Sequence, residues 1–285
     1  MKWALVLSGG GGNGIAHIGV LRELERMCLR PDLIVGTSMG SVVGGIYASG
    51  KSADWICNYL KNDFNIREAV SLQTIKWGEG PVVKALVAGE ALHNLRTKLG
   101  AESGEKILKL LREVSGDINI EDTVIPFACN AVNLLSGKEV VFNKGNLAEA
   151  IRCSIAIPPF FEPYEKDDIL YVDGGFSDNL PIHIAHEMGF KKVLSVNVVP
   201  LRPLSKAHVK NGVDVLFRLM TITINGLHRH KDATVSLTAY KGAYNFDFDH
   251  IDELVELGEL TVRNQSDLIR KKFSTWPKKK KYNLQ

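Results

Sequence analysis

The segment Gly36-Thr37-Ser38-Met39-Gly40 is a GxSxG motif between an apolar run that ends at Val35 and a helical pattern. In such a turn from strand to helix the serine backbone is strained, and the residues two positions before and after it crowd each other. Glycine at both of those positions removes the clashing Cβ atoms. The Ser38 hydroxyl would then project at a helix N-terminus, which stabilises a developing negative charge. The motif therefore predicts a serine nucleophile, and a tight packing turn is the alternative.

A second glycine-rich segment, Ser8-Gly9-Gly10-Gly11-Gly12-Asn13-Gly14, follows an apolar run near the N-terminus. Its spacing matches the GxGxxG fingerprint of dinucleotide sites, which also requires an acid at the end of the next strand. Here Asp32 lies before that strand rather than after it. Consecutive glycines also expose several backbone N–H groups, as an oxyanion hole requires. Because adjacent parallel strands would bring this loop beside Ser38, we expect oxyanion-hole donors here and keep nucleotide binding as the alternative.

The third candidate is Asp173-Gly174-Gly175, at the end of the apolar stretch Ile169–Val172. Asp-Gly pairs are common in turns, so taken alone this segment predicts a turn. Asp173 becomes a candidate proton acceptor only if the fold carries it to Ser38, which lies 135 residues earlier.

A serine–histidine–aspartate triad is the main alternative to a two-residue site. In α/β-hydrolases the chain order is serine, acid, histidine. The histidines that follow Asp173 are His183, His186, His208, His228, His230 and His250. None of them lies in a distinctive glycine-flanked loop, and Ser38 follows only the second strand, which is early for that fold. A dyad without histidine therefore fits the sequence better.

The elements that must position these residues follow an alternating pattern. The first 50 residues predict strand, helix, strand and helix, and residues 52–120 predict a helical insertion. After the insertion the patterns predict a strand at Val124–Val132, a hairpin to Glu139–Phe142, a helix from Asn146 to Cys153 and a buried strand at Lys192–Val199. Helices at 210–230 and 250–273 flank a strand near Val235–Tyr240. This rhythm predicts an α/β fold with a mainly parallel sheet.

Composition and charge indicate a globular chain and argue against a nucleic-acid-binding protein. Of the 285 residues 45% are hydrophobic and 24% are charged, which is ordinary for a globular chain. The net charge is +3, but residues 270–285 carry seven Lys or Arg and no acid, so residues 1–269 carry −4. A nucleic-acid-binding fold would carry its positive charge on the folded body. We therefore expect no nucleic-acid partner.

Neither a metal site nor a membrane span is predicted. The cysteines are scattered without metal-site spacing and are expected to be buried and reduced: Cys28, Cys57, Cys129 and Cys153. No run approaches the roughly 18 apolar residues of a membrane span, and the N-terminal apolar run is too short for a signal peptide. We expect a cytoplasmic chain that needs no metal and no cofactor.

In four ordered blocks the sequence resembles the patatin-like phospholipase family. The blocks are the glycine loop running into Ala16–Leu21, the Gly36–Gly40 elbow, Arg152–Pro158, and Val172–Gly175 with Asn179–Pro181. The resemblance implies a three-layer α/β/α fold and a Ser-Asp dyad that hydrolyses lipid acyl esters. It makes Ser38 the nucleophile and Asp173 the proton acceptor.

The resemblance also implies that the oxyanion hole is built from backbone amides. The candidate donors are Gly9, Gly10, Gly11, Gly12, Gly14 and Met39. Gly36, Gly40, Gly174 and Gly175 support the two motifs. The chain departs from the family at Asn13, where Arg or Lys is frequent, and this departure affects the expected head-group preference more than the ester chemistry.

These patterns together predict one catalytic domain over residues 1–273 and a basic tail over 274–285. The predicted activity is a phospholipase A or lysophospholipase type of acyl hydrolysis through an acyl-enzyme, with a phospholipid or other lipid ester as substrate. The alternatives are a lipid transacylase with the same dyad and a lipid- or nucleotide-binding protein without turnover. The lysine tail predicts peripheral contact with an anionic inner membrane surface, and a solvated disordered end is its alternative. The oligomeric state is left open.

Overall fold

The computed structural model describes residues 2–63, 99–100, 103–158, 161–206, 209, 212–226, 232–241 and 250–274. The strands in these ranges are β1 (Ala4–Leu7), β2 (Leu33–Gly36), β3 (Phe127–Asn133), β4 (Glu139–Phe142), β5 (Tyr164–Lys166), β6 (Ile169–Asp173), β7 (Val193–Asn197) and β8 (Val235–Thr238). The α-helices are α1 (Ala16–Arg26), α2 (Met39–Ala48), α3 (Ala53–Asn62), α4 (Glu105–Ser115), α5 (Leu147–Ser154), α6 (Ile182–Glu187), α7 (Gly212–Gly226), α8 (Ile251–Arg263) and α9 (Ser266–Phe273). A 3₁₀ helix, Gly11–Ile15, connects β1 to α1.

The strands form one sheet in the order β5-β6-β3-β2-β1-β7-β8, with β4 paired to β3. The five strands from β3 to β8 along this order are parallel, and β4, β5 and β6 run antiparallel to their neighbours. Leu7 pairs with Gly36, so the carboxyl ends of β1 and β2 lie at the same height. The glycine loop and the serine elbow therefore leave the sheet side by side.

The sheet is covered on both faces, as the alternation along β1 shows. Leu5 and Leu7 belong to the larger core, which also contains buried side chains of α1, α2 and α8. Ala4 and Val6 point to the other side and pack in a smaller core with residues of α6. Successive strand residues face opposite sides of a sheet, so a strand buried on both faces is apolar throughout. The predicted three-layer α/β/α fold with a mainly parallel sheet is confirmed.

The helix that follows the glycine loop is held by an unusually close helix pair. A Cβ on Gly19 of α1 would lie 1.9 Å from the carbonyl oxygen of Val255, and one on Gly258 of α8 would lie 2.0 Å from that of Ala16. The two backbones are therefore in direct contact at both glycines. Beside this contact the Glu259 carboxylate of α8 pairs with arginines of α1 and with Arg263.

Several predicted features differ from the structure, and one is the strand predicted at Val124–Val132, which is β3 over Phe127–Asn133. The helix predicted over 250–273 is two helices, because the chain turns at Asn264 and Gln265 and α9 packs Phe273 against Trp3, with ring centroids 4.9 Å apart. The predicted strand Lys192–Val199 is shorter, since the Asn197 side chain accepts the Val199 N–H and ends the ladder. Cys28 is exposed rather than buried, at a turn residue with φ 56°.

The insertion and the tail are described only in part. Within residues 52–120 the helices α3 and α4 are present, and residues 64–98, including the helix predicted around Val82–Leu86, lie outside the described residues. Residues 275–285 of the basic tail also lie outside them. The single domain over 1–273 therefore stays a prediction. No α-helix in the described ranges has the length and apolar character needed to cross a bilayer.

We expect Gly258→Ala to destabilise the protein by about 1–3 kcal/mol, because the new methyl group meets backbone atoms that cannot move aside without separating α1 and α8. Chemical denaturation monitored by circular dichroism measures this change. Gly226→Ala is the matched control, since a Cβ at the end of α7 meets no atom within 4 Å. Equal stability of the two variants would contradict the close contact.

Candidate active site

The serine elbow is a strained turn that only glycine neighbours permit. Ser38 has φ 51° and ψ −123°, and its amide donates to the Ser154 hydroxyl at 2.9 Å. A Cβ on Gly36 would lie 2.4 Å from the carbonyl oxygen of Gly40, and a Cβ on Gly40 would lie 2.3 Å from that of Leu7. The backbone therefore crosses β1 at contact distance while Ser38 is held at the N-terminus of α2. A non-glycine residue with positive φ at such a site is a frequent mark of function.

The glycine loop turns into the 3₁₀ helix with several amides unused. The amide of Gly9 donates to the carbonyl oxygen of Asn179 at 3.2 Å, so it is already engaged. Within the described part of the chain, the amides of Gly10, Gly11 and Gly12 donate to no other residue. The first N–H groups of a helix lack intrahelical acceptors and carry partial positive charge. This turn therefore offers donors to an anion at the carboxyl end of β1.

The remaining predicted donors, Gly9, Gly12, Gly14 and Met39, do not line the cavity. Gly14 packs against Met39, where a Cβ would lie 2.2 Å from the methionine Cγ. Gly12 is buried, and neither it nor Met39 lines the cavity that contains Ser38. Met39 is the first residue of α2, and its amide has no acceptor among the residues that the structure describes. Gly9 and Gly14 therefore shape the loop, while Gly10 and Gly11 face the cavity.

Asp173 ends β6 as a buried carboxylate with one satisfied oxygen. Its Oδ1 accepts the Gly175 amide at 2.8 Å, and its Oδ2 makes no hydrogen bond within the described structure. Burial raises the pKa of Asp173 from its usual 3.8 to about 6, while the nearby Ser38 hydroxyl and the Gly175 amide oppose the rise. The Ser38 hydroxyl therefore acts on the pKa of the carboxylate, although no hydrogen bond to Oδ2 is formed in the described structure. In enzymes without substrate, catalytic hydrogen bonds are often loose in this way.

One cavity of about 110 Å³ brings the separate segments together. It is lined by Gly10, Gly11, Ser38, Ile157, Asp173, Asn179, Val199, Met220, Thr221, Ile224 and Asn225. Three aliphatic side chains and one methionine accompany the hydroxyl and the carboxylate. The cavity is smaller than the roughly 300–1,000 Å³ of a pocket that encloses a drug-sized ligand. It accommodates a reacting group and a short apolar segment.

The buried side-chain amide of Asn130 connects the serine elbow to the loop that follows Asp173. Asn130 of β3 is fully buried, and its Oδ1 accepts the Thr37 hydroxyl at 2.8 Å. Its Nδ2 donates to Glu139 Oε1 at 2.8 Å, to the carbonyl oxygen of Asp178 at 2.9 Å and more weakly to that of Gly174 at 3.3 Å. Thr37 precedes Ser38 and Gly174 follows Asp173. One side chain therefore holds the neighbours of both candidate catalytic groups, a role that the sequence analysis missed.

His183 belongs to this network rather than to the cavity. Its Nδ1 lies 3.1 Å from Asp178 Oδ2 and its Nε2 lies 2.8 Å from Glu139 Oε2. Hydrogen bonds to Asp178 and Glu139 raise the pKa of His183 to about 10. At neutral pH both ring nitrogens are therefore donors, and the imidazolium has no lone pair with which to act as a base.

None of the histidines that the structure describes lines the cavity. Burial lowers the pKa of His17 to about 4, and its Nε2–H donates to the carbonyl oxygen of Ser8. The ring nitrogens of His186 lie near backbone carbonyls of Phe190 and Asp232. His208, His228 and His230 lie outside the described residues.

Ligands for a metal do not converge either. Over the described ranges, no three His, Cys, Asp or Glu side chains are grouped as a metal site would require.

Asn13, where the family often has Arg or Lys, is 1% exposed, and its side-chain amide group makes no hydrogen bond within the described structure. Its side chain is therefore enclosed behind the glycine loop and does not line the cavity.

Comparison with known proteins gives a family and several relatives. A family model described as patatin-like phospholipase matches residues 5–186. An uncharacterised NTE family protein of Mycobacterium tuberculosis (strain ATCC 25618 / H37Rv) is 37% identical over 179 residues, or 63% of this chain and 44% of that protein. Lysophospholipase NTE1 of Mycosarcoma maydis is 33% identical over 199 residues, or 70% of this chain and 10% of that protein. The chain thus spans less than half the length of these curated relatives.

Among solved structures, the crystal structure of VipD from Legionella pneumophila is similar in fold. The superposition has a TM-score of 0.56 at 13% sequence identity and covers 94% of this chain and 67% of VipD. At this low identity the similarity concerns the fold alone. It agrees with the three-layer arrangement described above.

Replacing the buried carboxylate by its neutral isostere, Asp173→Asn, is expected to stabilise the folded protein at pH 8. Because the pKa of Asp173 is raised from 3.8 to about 6, the folded state keeps a proton between these pH values that the unfolded state has released. The free energy of unfolding therefore falls as the pH rises through 6. At pH 8 the free energy of unfolding of Asp173→Asn should exceed that of the unmodified protein by about 3 kcal/mol, and this difference disappears below about pH 4. Urea denaturation at both pH values measures it.

Asp168→Asn serves as the control, because Asp168 is an exposed turn residue just before the same strand. A variant Asp173→Asn that is less stable than the unmodified protein at pH 8 would show that the carboxylate is not a strained, desolvated group.

Proposed function

Because the chain belongs to the patatin-like phospholipase family, we propose that it is a lipid acyl hydrolase that uses Ser38 as nucleophile and Asp173 as proton acceptor. The observation that carries the proposal is the convergence of the hydroxyl, the carboxylate and the glycine loop on one cavity. The similarity to a protein named lysophospholipase supports a lipid ester as substrate.

Acylation begins with Asp173 accepting the Ser38 proton while Oγ attacks the ester carbonyl carbon. Oδ1 is occupied by the Gly175 amide, so Oδ2 is the oxygen that takes the proton. A carboxylate with a pKa of about 6 is a stronger base than an ordinary aspartate and is still ionised at neutral pH. No histidine is needed as an intermediary.

The tetrahedral oxyanion is stabilised by the amides of Gly10 and Gly11, which line the cavity. Removal of one such donor typically costs about 10²–10³ in rate. Collapse of the intermediate breaks the ester bond, and the proton on Asp173 passes to the departing alkoxide. The acyl group stays on Ser38 Oγ as an ester.

Deacylation repeats these steps with water. Asp173 accepts a proton from a water molecule that attacks the acyl carbon, the same amides stabilise the second oxyanion, and the proton returns to Ser38 as the fatty acid leaves. The Asn130 network supports both stages because it fixes the residues next to Ser38 and Asp173. A small error in their separation is costly, since proton transfer requires hydrogen-bond distance.

The lining of the cavity supports a substrate with an acyl chain. Ile157, Val199 and Ile224 surround the reacting groups with aliphatic surface, which suits an acyl chain. Asn13 is enclosed and contributes no charge at the cavity, so head-group selection by a basic residue at this position is not part of the proposal. A phospholipid or lysophospholipid is the expected substrate, and contact of the tail with an anionic membrane stays a prediction.

A transacylase uses the same dyad with an alcohol or lysolipid in place of water. Product analysis with and without an added alcohol acceptor separates the two reactions, since acyl transfer gives a new ester at the expense of free fatty acid. A binding protein without turnover is the alternative from another class. Failure of a fluorophosphonate to label Ser38, together with tight binding of a nucleotide, would favour it.

We expect Ser38→Ala to lower ester hydrolysis by about 10³-fold or more, because the variant lacks the proposed nucleophile and the neighbouring Thr37 hydroxyl is engaged with Asn130 Oδ1. The measurement uses a short-chain p-nitrophenyl ester and a lysophospholipid, together with fluorophosphonate labelling followed by peptide mapping. Ser49→Ala at the far end of α2 is the control and should retain normal rates. Hydrolysis by Ser38→Ala at the unmodified rate would remove the proposed nucleophile.

The pH dependence of hydrolysis should report the ionisation of Asp173. Since the base must be unprotonated, kcat/KM is expected to fall tenfold per pH unit below an apparent pKa of about 6 and to be level above it. Circular dichroism at each pH shows whether the protein stays folded. A profile that remains level down to pH 4 would contradict Asp173 as the base.

A further inference from the structure

The helix α7 has two functional sides. Through Met220, Thr221, Ile224 and Asn225 it forms one wall of the cavity beside Ser38. Its other side is exposed and aliphatic at Val215, Leu219 and Ile222. These three positions are spaced by four and three residues, so they lie on one face of the helix. The cavity wall and the exposed aliphatic face are therefore parts of the same element.

The segment before α7 is bound to this helix and also exposes aliphatic side chains. Leu201, Leu204 and Val209 are exposed, and Leu201 is tied to α7 by its amide, which donates to Asn225 Oδ1 at 3.1 Å. Arg218 of α7 donates to the carbonyl oxygen of Arg202 at 2.9 Å. We call the exposed aliphatic side chains of this region the apolar rim: Leu201, Leu204, Val209, Val215, Leu219 and Ile222. They are between 37% and 53% exposed.

The rim is a concentration of apolar surface rather than scattered exposure. Within the part of the chain that the structure describes, 12 large hydrophobic side chains are exposed, and half of them fall within residues 201–222. Exposed apolar side chains concentrated in one segment usually mark an interaction site. Because α7 also forms a wall of the cavity, the rim is associated with whatever enters the cavity.

The charges that the sequence carries in the same stretch favour an anionic partner. Residues 201–222 contain four Lys or Arg and one Asp, whereas residues 1–269 as a whole carry −4. Aliphatic side chains interspersed with basic ones are typical of surfaces that lie in the head-group region of an anionic bilayer. The cores of protein–protein interfaces, by contrast, are depleted in lysine. The combination favours a lipid surface over a protein.

We propose that the apolar rim docks on an anionic lipid bilayer and presents the cavity mouth to the lipids beneath it. Docking itself requires no turnover, and only its consequence, the hydrolysis of the lipids beneath the rim, rests on the proposed function. The cavity of about 110 Å³ is too small to enclose a long acyl chain. With the rim in the bilayer, the ester group reaches Ser38 while most of the chain remains among the lipids or along α7.

The test compares vesicle binding by two double variants in a Ser38→Ala background, which prevents lipid turnover during the measurement. The rim variant is Leu219→Asp/Ile222→Asp. The control is Leu260→Asp/Leu268→Asp, whose leucines on α8 and α9 are 43% and 42% exposed. The vesicles are phosphatidylcholine alone or with phosphatidylserine, and binding is measured by co-sedimentation.

We expect the rim variant to bind phosphatidylserine vesicles at least tenfold more weakly than the parent, and the control variant to bind normally. Omitting phosphatidylserine should weaken binding by the parent at least fivefold. With Ser38 present, the rim variant should hydrolyse a water-soluble short-chain ester within twofold of the normal rate and lose most hydrolysis of vesicle lipids. Thermal unfolding shows that each variant is folded.

Normal vesicle binding by the rim variant would overturn the proposal, and so would an equal loss in the control variant. Binding that disappears only when residues 275–285 are deleted would assign it to the basic tail instead. A dimer in light scattering that the rim variant dissociates, without vesicle binding by the parent, would make the rim a contact between two copies. Rim-dependent binding without any ester hydrolysis would refute the proposed function while leaving the docking surface in place.

Discussion

The site depends on a backbone contact that leaves no room for a side chain. Gly40, at the start of α2, lies so close to the end of β1 that a Cβ would be 2.3 Å from the carbonyl oxygen of Leu7. This approach sets the angle at which α2 leaves the sheet and holds Ser38 at positive φ. Because Leu7 also leads into the glycine loop, the same contact fixes the serine relative to the unused amides of that loop. The strain at Ser38 persists because β2, which leads into the elbow, and the neighbouring β1 are fully buried.

A second constraint is the burial of polar groups behind the cavity. An ionised aspartate and an amide in a dry interior are tolerated when neighbouring groups supply hydrogen bonds. Asn130 meets this requirement for the network, since both of its side-chain atoms are used. Asp173 meets it for only one oxygen, and the other oxygen stays available to the serine. The hydrogen bond to Oδ1 holds the carboxylate in place, and the unbonded Oδ2 is the atom available for proton transfer.

Much of the fold and of the candidate site was predictable from the local sequence. The strand ends, the elbow and the glycine loop follow from apolar runs that stop at glycines, and the cap of α5 follows from Asn146, whose side chain accepts the Glu149 amide. The Asn130 network was not predictable, because a single asparagine inside an apolar strand carries no periodic signal. The break between α8 and α9 was missed because the apolar spacing continues through it, and only the docking of Phe273 on Trp3 requires the turn. The engaged amide of Gly9 depends on Asn179, which is distant in sequence and close only in the fold.

The order of the strands has a consequence for how the site is assembled during synthesis. Ser38 follows the second strand, Asn130 lies on the third and Asp173 ends the sixth, and these strands meet through pairings between distant parts of the chain. Such non-local pairings form late and slowly, because long loops must close first. A nascent chain that has emerged only as far as β3 therefore carries the hydroxyl and its supporting amide but no base. Completion of the acid–base pair coincides with the docking of β6, so an incompletely folded chain has no means of deprotonating its serine.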